Sequence, residues 1–151
     1  MRIEEAIKQN KPFSSEFQKS IVNLVYTASW WNQVATRLLR PFGISQEQYN
    51  ILRILRGMGD QPATIKTLTE RMLDNNSNAS RLVEKLKKKA LVERLECPMD
   101  RRRVDITITA KGLQLLDETS KIMESDMHKN FKHLTEAEAQ QLNELLDKMR
   151  G

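Results

Sequence analysis

From Phe13 onward, apolar side chains recur at Phe13, Phe17, Ile21, Leu24, Ala28, Trp31, Ala35, Leu38 and Phe42, in steps of three and four. That period belongs to a helix with one apolar stripe. Pro12 before the stripe and Pro41-Phe42-Gly43 after it supply start and stop signals. The predicted helix runs about 27 residues and about 40 Å. One compact lobe cannot cover that length, so the helix is expected to bridge lobes or chains.

Ser45 with Gln48 has the form of a capping box. It opens a second helix that buries Ile51, Leu52, Leu55 and Met58 and stops at Gly57-Met58-Gly59-Asp60. Pro62 and Thr64 lead into a short third helix with Ile65, Leu68 and Met72 facing in. The cluster Asp74-Asn75-Asn76-Ser77 reads as a turn and cap. A fourth helix follows, with Ala79, Leu82, Val83 and Leu86 inward. After Ala90 the period drops to two, predicting strands at 91–96 and 104–109 joined by a seven-residue loop, 97–103. Thr109 is placed to cap a fifth helix carrying Leu113, Leu116, Ile122, Met123 and Met127 and ending near His133. Thr135 opens a last helix with Leu142, Leu145, Leu146 and Met149 inward. No internal repeat or low-complexity stretch appears.

Composition narrows the class. The 151 residues fit one ordinary domain, and 39% hydrophobic content excludes wholesale disorder. Few glycines and prolines favour helices over a loop-rich β-sandwich. The single cysteine excludes a disulfide framework and a cysteine-cluster zinc site, and suits a reducing compartment. The N-terminal residues lack the apolar core of a signal peptide, and no apolar run approaches a bilayer span of about 20 residues; the best, Ile21 to Ala28, is broken by Asn23. A cytoplasmic protein with no membrane partner is expected.

The net charge is only +5, but it is unevenly placed. Residues 1–61 carry +3, residues 62–111 carry +5, and residues 112–151 carry −3. The middle third is therefore where a polyanion partner is expected.

A short helix, a tight turn, an amphipathic helix, then a two-stranded hairpin with a basic tip describe a winged helix-turn-helix. The fold class expected is mainly α with a small two- to three-stranded antiparallel wing, a winged lobe joined to a helical dimerisation region. The major groove of B-DNA admits one helix. The fourth helix offers Ser77, Asn78, Ser80, Arg81, Lys85 and Lys88 on its outward face. Small polar groups in its first turn suit base edges, and the later cations suit phosphates. Its N-terminal partial charge favours a phosphate near Asn76 and Ser77. At the hairpin tip, Arg101, Arg102 and Arg103 cannot all face one side, so at least one projects, as an arginine entering a minor groove would. Asp100 is spaced to pin the Arg102 guanidinium. The bland alternative is a solubilising loop with incidental ion pairs.

The stretch from Ser80 to Arg94, Ser-Arg-Leu-Val-Glu-Lys-Leu-Lys-Lys-Lys-Ala-Leu-Val-Glu-Arg, resembles the MarR family of bacterial transcription regulators. So does Pro98-Met-Asp-Arg-Arg-Arg-Val-Asp-Ile-Thr-Ile-Thr-Ala-Lys-Gly112, and Ile44 to Tyr49 with Ile51-Leu52 looks like the family's second-helix opening. The similarity spans about residues 20 to 149. It implies a homodimer with intertwined first and last helices and two winged lobes. It also implies a pseudo-palindromic double-stranded DNA operator, and repression relieved by a small phenolic or lipophilic effector. By the same resemblance, Asp100 and Arg102 match the wing motif, with Arg102 entering the minor groove. Ser77, Asn78, Ser80 and Arg81 match the base-facing positions. Ala90 departs from the family's usual Gly, which puts the geometry of that turn in question.

The domain division expected is 1–44 with 110–151 for dimerisation and 45–109 for DNA. A ligand crevice implied between these regions makes Tyr26, Trp30, Trp31 and Tyr49 its candidate lining, against the plainer reading of core aromatics. Cys97 reads as a passive wing-base residue, with oxidant sensing as the alternative. His128 and His133, five apart, do not share a helix face, so no metal site and no cofactor is expected. No phosphate loop, nucleophile–base pair or carboxylate cluster supports an enzyme. Two other readings stay open: a constitutive DNA-binding regulator without ligand, and a winged helix used for protein docking.

Overall fold

The computed structural model describes residues 1–97 and 100–151, and all their side chains except those of residues 97 and 100–103. Its elements are α1 (Ile3–Ala6), α2 (Glu16–Leu39), α3 (Gln46–Gly57), α4 (Ile65–Arg71), α5 (Ala79–Lys88), β1 (Val92–Cys97), β2 (Asp100–Ile108), α6 (Ala110–Phe131) and α7 (Glu136–Arg150). A 3-10 turn, Arg40–Phe42, joins α2 to α3 and ends at Gly43 with φ +67°.

Local chemistry sets most helix starts. The hydroxyls of Ser45, Thr64, Thr109 and Thr135 each accept the backbone N–H three residues on. Gln48 and Glu138 complete capping boxes at Ser45 and Thr135. The short α1 has no counterpart in the predicted elements. It is tied to α2 by an ion pair between Glu4 and the Lys19 Nζ, 2.6 Å apart.

The core lies where α3, α4, α5, the hairpin and the first half of α6 meet. Leu39, Ile51, Leu52, Leu68, Leu86 and Ile106 are fully buried in it, with Val83, Leu91, Val92 and Leu116 around them. Burying each such side chain contributes about 1.5–3 kcal/mol. β1 and β2 pair antiparallel from Val92↔Ile108 to Glu96↔Val104. An antiparallel bridge adds Ala63 opposite Ile106, with Ala63 N–H to Ile106 O at 2.9 Å and the return bond at 2.8 Å. That bridge is a one-residue third strand, and it fixes the hairpin base to the residue before α4.

The hairpin is longer than the alternating pattern implies. The seven-residue loop expected at 97–103 is not there: strand structure reaches Cys97 and resumes at Asp100, with a register shift at Glu96/Cys97. Partner positions jump from Val104 to Asp100, so residues 101–103 are extra on the β2 side. Backbone pairing needs no apolar alternation, which is why a run of arginines hid these strand residues.

The long stripe of α2 divides in two. Val34, Ala35 and Leu39 are buried, whereas Phe17 is 86% exposed and Ile21, Leu24 and Val25 are open. In α7 the residues expected inward, Leu142, Leu145 and Met149, are exposed as well, and α7 buries no residue. Among the described residues these side chains keep much of their surface open within one chain. No helix of the described residues is long and apolar enough to cross a membrane.

Candidate nucleic-acid interface

The α4–turn–α5 unit presents the surface. α4 ends at Met72, whose extended backbone turns the chain outward. Asp74 organises the turn: its Oδ1 accepts the Asn76 N–H at 2.9 Å and its carbonyl the Ser77 N–H at 3.2 Å. Asn78 is the cap of α5, its Oδ1 accepting the Arg81 N–H at 3.0 Å. Its amide nitrogen remains the outward group. Ala79, Val83 and Leu86 anchor the helix to the core. Asn76, Asn78, Ser80, Arg81, Lys85 and Lys88 are exposed and Ser77 is half-buried, so one polar, cationic face carries all seven.

The far end of α5 is held rigidly. The Leu91 N–H bonds Leu86 O at 3.0 Å and the Ala90 N–H bonds Lys87 O at 2.9 Å, with Ala90 at φ +58°. This is the paired hydrogen-bond pattern of a left-handed helix stop. Alanine therefore adopts the geometry in question, and the turn is kept. Thr109 and Lys111 clamp it from the other side, the Thr109 hydroxyl donating to Ala90 O at 2.7 Å and the Lys111 ammonium to Lys89 O at 3.0 Å.

An ion pair that sequence reasoning missed joins α5 to the hairpin: the Arg94 guanidinium bonds Glu84. It neutralises the one carboxylate of a helix that otherwise carries Arg81, Lys85, Lys87 and Lys88. The spacing of ten residues left no sequence signal. The side chains of Asp100, Arg101, Arg102 and Arg103, together with that of Cys97, lie outside the described residues, so their roles rest on the sequence.

A second recess lies between α2, α3 and α6, with a volume of about 530 Å³. Of the four aromatics expected to line it, Trp31 and Tyr49 do. Tyr26 and Trp30 do not, because the 100° turn per residue carries them to an exposed side of α2. Trp30 does pack on the rim through Trp31 and Phe131, with ring centroids 6.2 and 6.4 Å away. The Tyr49 hydroxyl meets that of Ser120 at 3.1 Å, and Arg53 stands 6.0 Å over the Tyr49 ring. Ser120, Asn50 and Arg53 also line it and carry no signal for aromatic counting, while Phe131, an aromatic on the same wall, was not among those expected there. Among the described residues no group of three or more His, Cys, Asp or Glu is arranged to hold a metal.

Residues 42–103 match the model of the MarR family. The transcriptional repressor IacR of Pseudomonas putida is 27% identical over 139 residues, spanning 90% of this chain and 82% of IacR. The Staphylococcus aureus MepR–DNA complex superposes with a TM-score of 0.75 at 25% identity, covering 90% of this chain and 96% of MepR. A MarR transcription factor from Planctomyces limnophilus gives 0.70 at 27% identity, covering 92% and 98%. The family model falls on the core, the recognition unit and the hairpin, and the longer matches carry the likeness through the flanking helices. The chain is thus similar to the MarR family of winged-helix transcriptional regulators, most directly over residues 42–103.

Proposed function

We propose that two copies of this chain form a homodimer that binds a pseudo-palindromic double-stranded DNA operator and represses transcription until a small lipophilic or phenolic effector binds. Residues 1–44 and 110–151 form the dimerisation region and 45–109 the DNA-binding lobe. The observation that carries the reading is the exposed face of α5, polar in its first turn and cationic in its last, beside a basic hairpin. Ser77, Asn78, Ser80 and Arg81 read base edges, and Asn76 lies against the backbone at the helix start. Lys85, Lys88 and Arg103 hold phosphates, and Arg102, oriented by Asp100 and flanked by Arg101, enters the minor groove. The names of its relatives, a repressor among them and one solved on DNA, point the same way.

The docking-module alternative needs apolar residues on the outer face of α5, and that face has none among the described residues. The 530 Å³ crevice beside Trp31 and Tyr49 favours an effector over constitutive binding, because a ligand-free regulator would fill that space. An effector shifts the population toward a lobe spacing that no longer matches successive grooves. The test is footprinting of the protein on the promoter of its own gene. A protected, dyad-related site is expected; no protection there and no binding to mixed duplex at low salt would overturn the reading.

A further inference from the structure

α5 has a second cationic flank, on the side away from the hairpin. Glu84 faces β1 through its ion pair with Arg94. Lys85, one residue and about 100° further round the helix, points instead into a cleft of about 410 Å³ between α5, the end of α2 and the start of α3. Leu82, Lys85 and Lys89 form its α5 wall, and Arg40, Gly43 and Ser45 lie opposite. The cleft thus gathers three cations, Arg40, Lys85 and Lys89, and no carboxylate. The recess on the other side of the α5 end mixes Lys87, Arg94 and Lys111 with Glu93, and the crevice sets Arg53 and Arg56 beside Glu124. Among the described residues neither Arg40 nor Lys85 has a carboxylate within ion-pair distance, and both are exposed. Lys89 is held in place: its ammonium donates one hydrogen bond to the Gly43 carbonyl and keeps two N–H groups.

Three cations from two chain segments 45 residues apart, with no carboxylate in the lining they share, repel one another. Natural surfaces mix signs unless a field is used, and a phosphodiester supplies the missing anion. We propose that this cleft is a second DNA-backbone site, in which Arg40 and Lys89, with Lys85, grip a phosphate on the strand across the major groove from the wing. The proposal rests on α5 entering that groove and extends the interface beyond residues 45–109 to the end of α2. The wing and the cleft then clamp the two backbones that border one groove, with α5 between them. Arg40 also joins the contact directly to the helix that the effector crevice borders.

The experiment titrates the full-length protein onto a mixed-sequence duplex of about 30 base pairs, long enough for two half-sites a turn apart, at several salt concentrations. Arg40→Gln is expected to weaken binding about tenfold at 0.1 M salt and to lower the salt slope by about 2, one phosphate per protomer. Arg40→Lys should restore most of both, and Arg37→Gln, a turn earlier and outside the cleft, should change little. Phosphate-ethylation interference on a protected site should lose its signal on one strand only in Arg40→Gln. Circular dichroism establishes that each variant is folded; an unfolded Arg40→Gln transfers the test to Lys85→Gln, for which the same loss is expected. Wild-type binding with an unchanged slope in the folded variant, or an equal loss in Arg37→Gln, overturns the cleft alone. Absence of any wild-type binding overturns the DNA reading and the cleft with it.

Discussion

Ala90 holds a backbone conformation that alanine pays about 1 kcal/mol to adopt. Its φ of +58° is imposed from outside, by the two hydrogen bonds that stop α5 and by Thr109 on its carbonyl. Ala90→Gly should therefore stabilise the fold by about 1 kcal/mol, read as a shift in the denaturant midpoint at constant slope. Gly112 is the opposite case. A Cβ there would stand 2.2 Å from the Leu91 carbonyl oxygen, so Gly112→Ala must push α6 away from β1 and should cost about 1–3 kcal/mol in the same assay. Glu4 gives a pH signature. The hydrogen bond from the Lys19 ammonium, and then the helix-start N–H, hold its carboxyl below the ordinary carboxylate value. A depressed value means the link is intact at neutral pH and is lost as pH falls through that lowered value. Amide protection factors over residues 3–7, taken relative to the intrinsic exchange rate at each pH, should fall there and stay constant between pH 6 and 8. Caps at Ser45, Thr64, Thr109 and Thr135 were legible because a cap acts over three residues. Asn78 was not singled out as one, since Asn75, Asn76, Ser77 and Asn78 can all cap, and only the packing of Met72 and Ala79 selects among them.

At the scale of elements, the α5 face and the hairpin make different contacts in the proposed pose and should fail differently. Lys88, an exposed cation in the last turn, faces backbone in the proposed pose. Lys88→Ala should weaken binding to all duplexes alike and lower the salt slope by about 2 for the dimer; altered base preference would contradict the phosphate role. Arg102→Ala should cost about 1–3 kcal/mol at the operator, with the loss concentrated at A·T-rich flanks. Unchanged gel-shift affinity would remove the wing from the interface. Element order and the α4–turn–α5 unit were legible because each helix carries its own period and cap. The hairpin was legible in its stem, where Val104, Ile106 and Ile108 alternate with polar residues, and not beyond it, where the strand continues through arginines. The crevice between α2, α3 and α6 was half legible. Trp31 and Tyr49 signal themselves as aromatics, but Ser120 reaches Tyr49 from 71 residues away, a distance no local pattern spans.

The whole molecule is unfinished as a single chain. Phe17, Ile21, Leu24 and Val25 on the first half of α2 and Leu142, Leu145 and Met149 on α7 leave apolar surface open, away from the core that the end of α2 joins. Contiguous exposed apolar surface of this kind marks an interface. A second copy is the economical cover, because a two-fold axis lets α2 and α7 of each chain meet those of the other. Charge agrees with that division, since residues 112–151 carry −3 and would be poor neighbours for DNA, while residues 62–111 carry +5. The same axis would place two α5 helices about one DNA turn, roughly 34–36 Å, apart or a multiple of it. In the proposed dimer function depends on association, because a lone lobe forfeits the second half-site. Leu145→Glu, at an exposed position of α7, should leave the monomer's helix content intact. Sedimentation should show it shifted from dimer to monomer at micromolar concentration. Its operator affinity should fall by orders of magnitude, while weak binding to a single half-site persists. A Leu145→Glu protein that stays dimeric would place the axis elsewhere on α2, and one that is monomeric yet binds the full operator normally would sever the dimer from the function.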